Sequence, residues 1–157
     1  MADYILERRV WLPRPRPEVF EFFADPRNLE RLHPAWARPR WLTPPPARLA
    51  AGAVLHFRAA GLPGRWRVII REFDAPYRFV DVQLNGPFAR WEHRHRFTEG
   101  AKGEGGTWVE DRVTYRLPLG PLGRLIHAVG AGHQVRHLFD QRDRRLRDLF
   151  GGGRDTT

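Results

Sequence analysis

Residues 90–97, RWEHRHRF, alternate with a period of two. Trp91, His93, His95 and Phe97 fall on one face of a strand, and Arg90, Glu92, Arg94 and Arg96 on the other. The charged face calls for water, so the opposite face is expected to be buried, with two imidazoles set between two large aromatics. Upstream, YILERRVWL (4–12) reads as a first strand that ends at the proline-rich PRPRP. PEVFEFFADPRNLERLHP then reads as two short helices. Pro17 suits a first helical turn, Asp25 is an N-cap followed by Pro26, and Pro34 stops the second helix. Val19, Phe20, Phe23, Leu29 and Leu32 supply their apolar sides.

Residues 38–117 read as strands separated by turn chemistry. RPRWLT is a short one, closed by the rigid PPP of 44–46. AVLHFRAAG (53–61) and RWRVIIREF (65–73) are joined across LPG, and RFVDVQL (78–84) follows DAPY. NGPF turns into the 90–97 strand, and TEGAKGEGG (98–106) forms a hairpin loop into TWVEDRVTYRL (107–117). No helix follows those loop glycines, so a hairpin tip is the reading and not a phosphate cradle. From Pro118 to Phe150 the pattern is helical. Leu122, Leu125, Ile126 and Val129 share one face, while Val135, Leu138, Phe139, Leu146, Leu149 and Phe150 share another, rotated by roughly 100°. One straight helix cannot aim both sets at one sheet. The phase changes at GAGH (130–133), where each glycine weakens the helix by ~1 kcal/mol, so a kink is predicted there, with the long helix running from about 131 to 150.

At 157 residues the chain suits one domain, 1–150, with a flexible tail at 151–157. Such a length buries roughly 70% of the unfolded surface. The absence of cysteine removes disulfides, thiolate zinc sites and cysteine nucleophiles together. No signal-like segment and no run of ~20 apolar residues occurs, so a cytoplasmic location is expected. The formal charge is +9, and Lys102 is the single lysine among 27 basic residues. Charge of this size is one mark of nucleic-acid or anionic-membrane partners. The arginines, however, are spread over every segment, often two apart on strand outer faces, so nucleic acid is not the expected partner. Fourteen prolines and one methionine suit a thermophile.

The order of elements resembles the helix-grip fold of the START and Bet v 1-like (SRPBCC) superfamily. The likeness is carried most specifically by PEVFEFFADPRNLERLHP, RFVDVQLNGPFARWEHRHRF and GTWVEDRVTYRLPLGPLGRL. These resemble a bacterial subgroup described as polyketide cyclase/dehydrase-like or ligand-binding START-like proteins. The resemblance implies an α+β fold in which a curved antiparallel sheet wraps a long C-terminal helix, leaving a cavity for an apolar or amphipathic small molecule. It implies no reaction and no cofactor, because the superfamily holds carriers, receptors, cyclases and hydrolases. No catalytic set of an enzymatic member maps onto this chain residue by residue.

A hairpin register that pairs Phe97 with Thr107 sets His95 opposite Val109, His93 opposite Asp111 and Trp91 opposite Val113. The inner face then carries Asp111, Val113 and Tyr115, and Trp66, Val68 and Ile70 continue it on an earlier strand. Strand 78–84 turns either Phe79, Asp81 and Gln83 or Val80, Val82 and Leu84 inward. The His93/Asp111 pair has three readings: mutual satisfaction inside the core, the polar anchor of a ligand, or a general acid/base pair. Metal binding through the H-x-H spacing lacks further ligands; His56 and His133 are candidates by elimination, and no carboxylate stands at a matching spacing. Tyr115 is expected to place its ring in the core and its hydroxyl on a polar group. His133 lies at the cavity mouth or in solvent. Asp140 with Arg144 and Asp143 with Arg147 form i,i+4 pairs on a solvated helix face that is also open to transient membrane contact.

The expected function is therefore binding or carriage of a lipid, isoprenoid or polyketide-like molecule. Its site residues are Trp66, Val68, Ile70, Trp91, His93, His95, Phe97, Asp111, Val113, Tyr115 and His133. The alternatives are a cyclase or aromatase working through His93 and Asp111, and a basic nucleic-acid-binding protein.

Overall fold

The computed structural model describes residues 3–101 and 103–151; residues 152–157 of the expected tail, and Lys102, lie outside the described residues. Strand β1 (Tyr4–Leu12) leads into helix α1 (Arg16–Ala24), a 3₁₀ turn at Pro26–Asn28 and the short α2 (Leu29–Leu32). Asp25 caps that turn as its residue type suggests, its side chain accepting from the Arg27 amide at 3.0 Å. Six strands follow: β2 (Pro39–Trp41), β3 (Val54–Ala59), β4 (Trp66–Asp74), β5 (Arg78–Asn85), β6 (Arg90–Glu99) and β7 (Thr107–Arg116). They pair antiparallel in the order β1-β7-β6-β5-β4-β3-β2, so the first strand closes against the last and every other neighbour is a hairpin or meander connection. Helix α3 (Gly120–Ile126), a wider π turn (His127–Ala131) and helix α4 (Gly132–Phe150) complete the helix-grip architecture.

The predicted kink is present. Gly130 leaves helical geometry between α3 and α4. Its consequence differs from the expectation, because Leu122, Leu125 and Val129, ahead of the bend, do not turn towards the sheet and Ile126 only borders the cavity; all four are exposed. Gly123 and His127 face the protein instead. Gly123 lies against the Pro118 carbonyl, too close for any side chain, and His127 stacks on Tyr4.

Alternation places the core. Phe20 and Phe23 of α1 meet Phe79 and Phe97 edge to face at 5.1–6.0 Å, closing one end of the sheet's concave side. Leu146 and Phe150 of α4 join the same cluster. A second cluster gathers Trp66, Trp91, Val113 and Tyr115 under Val135 and Phe139 of α4.

Candidate functional site

Between the two clusters lies a cavity of about 410 Å³, bounded by the sheet on one side and α4 on the other. Trp66, Val68, Ile70, Trp91, His93 and His95 stand in its wall, as their alternation predicts. Strand β5 adds Phe79 and Asp81, which resolves that strand's ambiguous alternation: Phe79 and Asp81 turn inward. The remaining predicted residues sit elsewhere. Phe97, Asp111, Val113 and Tyr115 are buried behind the wall, and His133 is exposed in a shallow outer depression beside Trp36 and His137.

The predicted hairpin register is off by two residues. His95 stands opposite Asp111, His93 opposite Val113 and Phe97 opposite Val109. A slip of two preserves the face, so the same side chains still point inward with different partners. The His93–Asp111 contact forms nevertheless, on the diagonal: His93 Nε2 donates to Asp111 Oδ1 at 2.7 Å. His95 Nε2 donates to Asp81 Oδ2 at 2.8 Å, while its Nδ1 lies 3.3 Å from Asp111 without hydrogen-bond geometry. Arg142 of α4 completes the group. It reaches down from the helix and donates to Asp111 Oδ2 at 2.6 Å, with its guanidinium over the rings of Phe23 and Phe139.

These contacts decide the charges. Burial raises the Asp111 carboxyl, but Arg142 and the two imidazoles outweigh it and hold the group well below the ordinary carboxylate value. Burial, reinforced by its neighbour His95, pulls His93 down to about 4, so His93 is neutral at physiological pH. Burial also opposes charge on His95, yet Asp111 and Asp81 together win and raise it. His93 thus donates its Nε2–H to the Asp111 carboxylate and keeps an Nδ1 lone pair, 3.9 Å from Asp81 Oδ2 and beyond hydrogen-bonding reach. Burial depresses a further cavity histidine, His33, to about 4; its Nδ1 donates to the Leu29 carbonyl at 2.7 Å, which leaves Nε2 an acceptor.

Among the described residues, one group of three could hold a metal ion: Asp81, His93 and His95, with ligand atoms all within 4.8 Å of one another. The carboxylate that sequence spacing could not supply comes from β5, across the sheet. His56 lies on β3 opposite Arg67 and His133 is exposed, so neither candidate by elimination joins the group. The cluster also closes on its own residues, two carboxylates facing the imidazole of His95 and the guanidinium of Arg142.

Sequence reasoning misses Arg142 and Asp143. The charge pattern puts both on a solvated helix face, and both are buried. The expected i,i+4 partners are replaced: Asp140 pairs with Arg8 of β1 at 2.8 Å. Tyr115 behaves as predicted, its ring in the core and its hydroxyl donating to His127 Nε2 at 2.7 Å. Tyr115→Phe removes that bond and leaves a partly buried imidazole acceptor; the expected cost is about 1 kcal/mol in urea unfolding, and a loss below a few tenths would mean water replaces the hydroxyl.

Residues 12–139 match the sequence profile of a family described as polyketide cyclase / dehydrase and lipid transport. The chain belongs to that family. No curated protein matches the sequence. The fold is shared with the protein TTHA0849 from Thermus thermophilus, 20% identical over 94% of this chain and 99% of that one, with a TM-score of 0.66. It is shared equally with a START superfamily protein from Mycobacterium smegmatis, 15% identical over 92% and 98%, with a TM-score of 0.66. A nucleoside-diphosphate sugar epimerase from Corynebacterium glutamicum is 27% identical over 90% of this chain, with a TM-score of 0.65, but the match covers only 28% of that protein. The fold is thus of the START type, and no described helix is long and apolar enough to cross a membrane.

Proposed function

We propose that the protein binds or carries a hydrophobic or amphipathic small molecule, of lipid, isoprenoid or polyketide-like character, in the cavity between sheet and α4. One observation carries the reading: a cavity of about 410 Å³ walled mostly by aromatic and aliphatic side chains, with a polar cluster of Asp81, His93, His95 and Arg142 on its lining and His33 and Gln134 besides. The aromatics contribute affinity at ~25 cal/mol per Å² of apolar surface covered, and the cluster contributes orientation. Trp66 Nε1, buried with no hydrogen-bond partner among the described residues, offers a donor to a ligand carbonyl or hydroxyl. His93 Nδ1 and His33 Nε2 offer acceptors.

The test is binding of anilinonaphthalene sulfonate, read by its fluorescence and by quenching of Trp66 and Trp91. Ala59→Phe, which projects a ring into the cavity, is expected to weaken binding at least tenfold while leaving the melting temperature near that of the parent. Unchanged affinity in a folded Ala59→Phe protein would place the probe outside the cavity and overturn the reading.

A second reading, a cyclase or aromatase, rests on the His93 Nε2–Asp111 hydrogen bond, which fixes the tautomer a general base needs, although an imidazole pulled down to about 4 is a weak base at neutral pH. His93→Ala separates the two. Lost turnover of a polyketide-like substrate with ligand affinity intact favours the enzyme, and parallel loss of both favours the carrier.

A further inference from the structure

The face that α3 turns away from the sheet is apolar. Leu119 is 65% exposed, Leu122 54%, Leu125 58%, Ile126 42% and Val129 76%, and the last four stand one turn apart on one side. Five exposed aliphatics on a segment of eleven positions form a patch rather than scattered surface residues. The patch adjoins the cavity entrance, because Leu119 and Ile126 also belong to the cavity wall, with Leu62 and Pro63 from the β3–β4 turn and Pro87 and Phe88 from the β5–β6 turn.

The same end of the molecule carries little negative charge: Asp3, at the foot of β1, pairs with Arg90 and Arg116, and few other carboxylates come near. Residues 31–71, 82–91 and 112–139 contain no Asp or Glu, yet hold eight, one and four arginines. The ends of β3, β4, β5 and β6 that meet at the mouth belong to these segments, as does all of α3. Arg58, Arg65, Arg67 and Arg124 are exposed there, none with a salt bridge among the described residues.

We propose that this mouth docks on an anionic lipid bilayer, with the aliphatic face of α3 and the π turn entering the headgroup boundary and the arginine rim resting on the phosphates. Charge selects the occupant. A second copy of this chain would bring a net charge of +9 against the same rim. Nucleic acid would use the arginines but not five exposed aliphatics. An anionic bilayer uses both, through apolar insertion and through attraction of roughly 1 kcal/mol per basic residue, about fivefold in affinity each. The site differs from the 139–150 face that the sequence suggested for membrane contact: that stretch of α4 packs Phe139, Arg142, Asp143 and Leu146 inward. The inference does not depend on what the cavity holds.

The experiment is co-sedimentation of the full chain with vesicles of phosphatidylcholine alone and of an equal mixture with phosphatidylglycerol, at low and high salt. Binding is expected to the anionic vesicles only, and to fall with salt. The combined variant L122Q/L125Q/V129Q, altered only at exposed positions, is expected to lose binding at least tenfold while its circular dichroism stays that of the parent. R65Q/R67Q/R124Q is expected to lose about a hundredfold. No sedimentation with anionic vesicles at low salt would overturn the proposal, as would binding that survives the glutamine substitutions in α3. So would a concentration-dependent dimer in analytical ultracentrifugation that the same substitutions abolish, since the face would then belong to a second copy.

Discussion

Arg142→Met is expected to destabilise the fold by about 3–5 kcal/mol at neutral pH, because it strands Asp111 as a charge with no guanidinium beside it. Methionine keeps the stem that packs against Phe23 and Phe139, so the loss reports the ion pair and not a hole. The sign with pH follows from Asp111, whose native carboxyl lies well below its ordinary value of 3.8. A depressed carboxylate contributes stability that is complete above the unfolded value and is lost as pH falls through the native one. The gap between parent and variant should therefore be widest at neutral pH and narrow as the solution is acidified below about 4. Replacing both partners, as in Asp111→Leu with Arg142→Met, is expected to recover most of the loss, since two apolar groups leave no unpaired charge. Urea unfolding of the parent, Arg142→Met, Asp111→Leu and the double variant at pH 7 and pH 3 measures every arm of this cycle. A single-variant loss under 1 kcal/mol would mean that the imidazoles and water satisfy Asp111 without the helix.

The reason this pair could not be read in the sequence is geometric. In FDQRDRRLRDLF the charges repeat at i,i+4, the usual pattern of a wet face, and nothing local distinguishes Arg142 from Arg144. What distinguishes it is where α4 meets the concave sheet after the bend at Gly130. Arg142 and Phe139 lie one turn apart on the side that crosses the cavity, directly above Asp111. The bend itself was legible, because a change of helical phase falls on glycines. Its direction was not, since an apolar face signals burial only when something covers it.

The strands were legible for the opposite reason. Period-two alternation in 90–97 and 107–117 is enforced by burial on one side, so the inward set of β6 follows from the residue types alone. The register was not, because β6 runs on to Glu99 and the loop closes through the Gly100 amide on the Gly106 carbonyl, two residues beyond the turn implied by Phe97. Strand β5 buries both Phe79 and Val80, so its alternation carried no sign. The pairing of Phe79 with Phe73, past an irregularity between Ile70 and Glu72 of β4, fixes it and delivers Asp81 to the histidines.

Asp143 leads to the second large effect, of opposite sign. It is buried beside Arg142, its Oδ1 has no hydrogen-bond partner among the described residues, and burial raises its carboxyl to about 6 against the pull of Arg142, Arg8 and Arg147. A carboxyl whose native value exceeds the unfolded 3.8 binds its proton more tightly in the folded state, so stability falls as pH rises from about 4 to about 6 and is level above that. Two units at about 1.4 kcal/mol each set the scale of the penalty at neutral pH. Asp143→Asn keeps the shape and cannot ionise. It is expected to be more stable than the parent by about 2 kcal/mol at pH 7, equal to it near pH 4, and flat between. Thermal or urea unfolding across that range checks all three statements. A variant less stable than the parent at pH 7 would show that the carboxylate is held by its three arginines more strongly than burial opposes it, and Asp143 would then belong with Asp111 as part of one ionic network under α4.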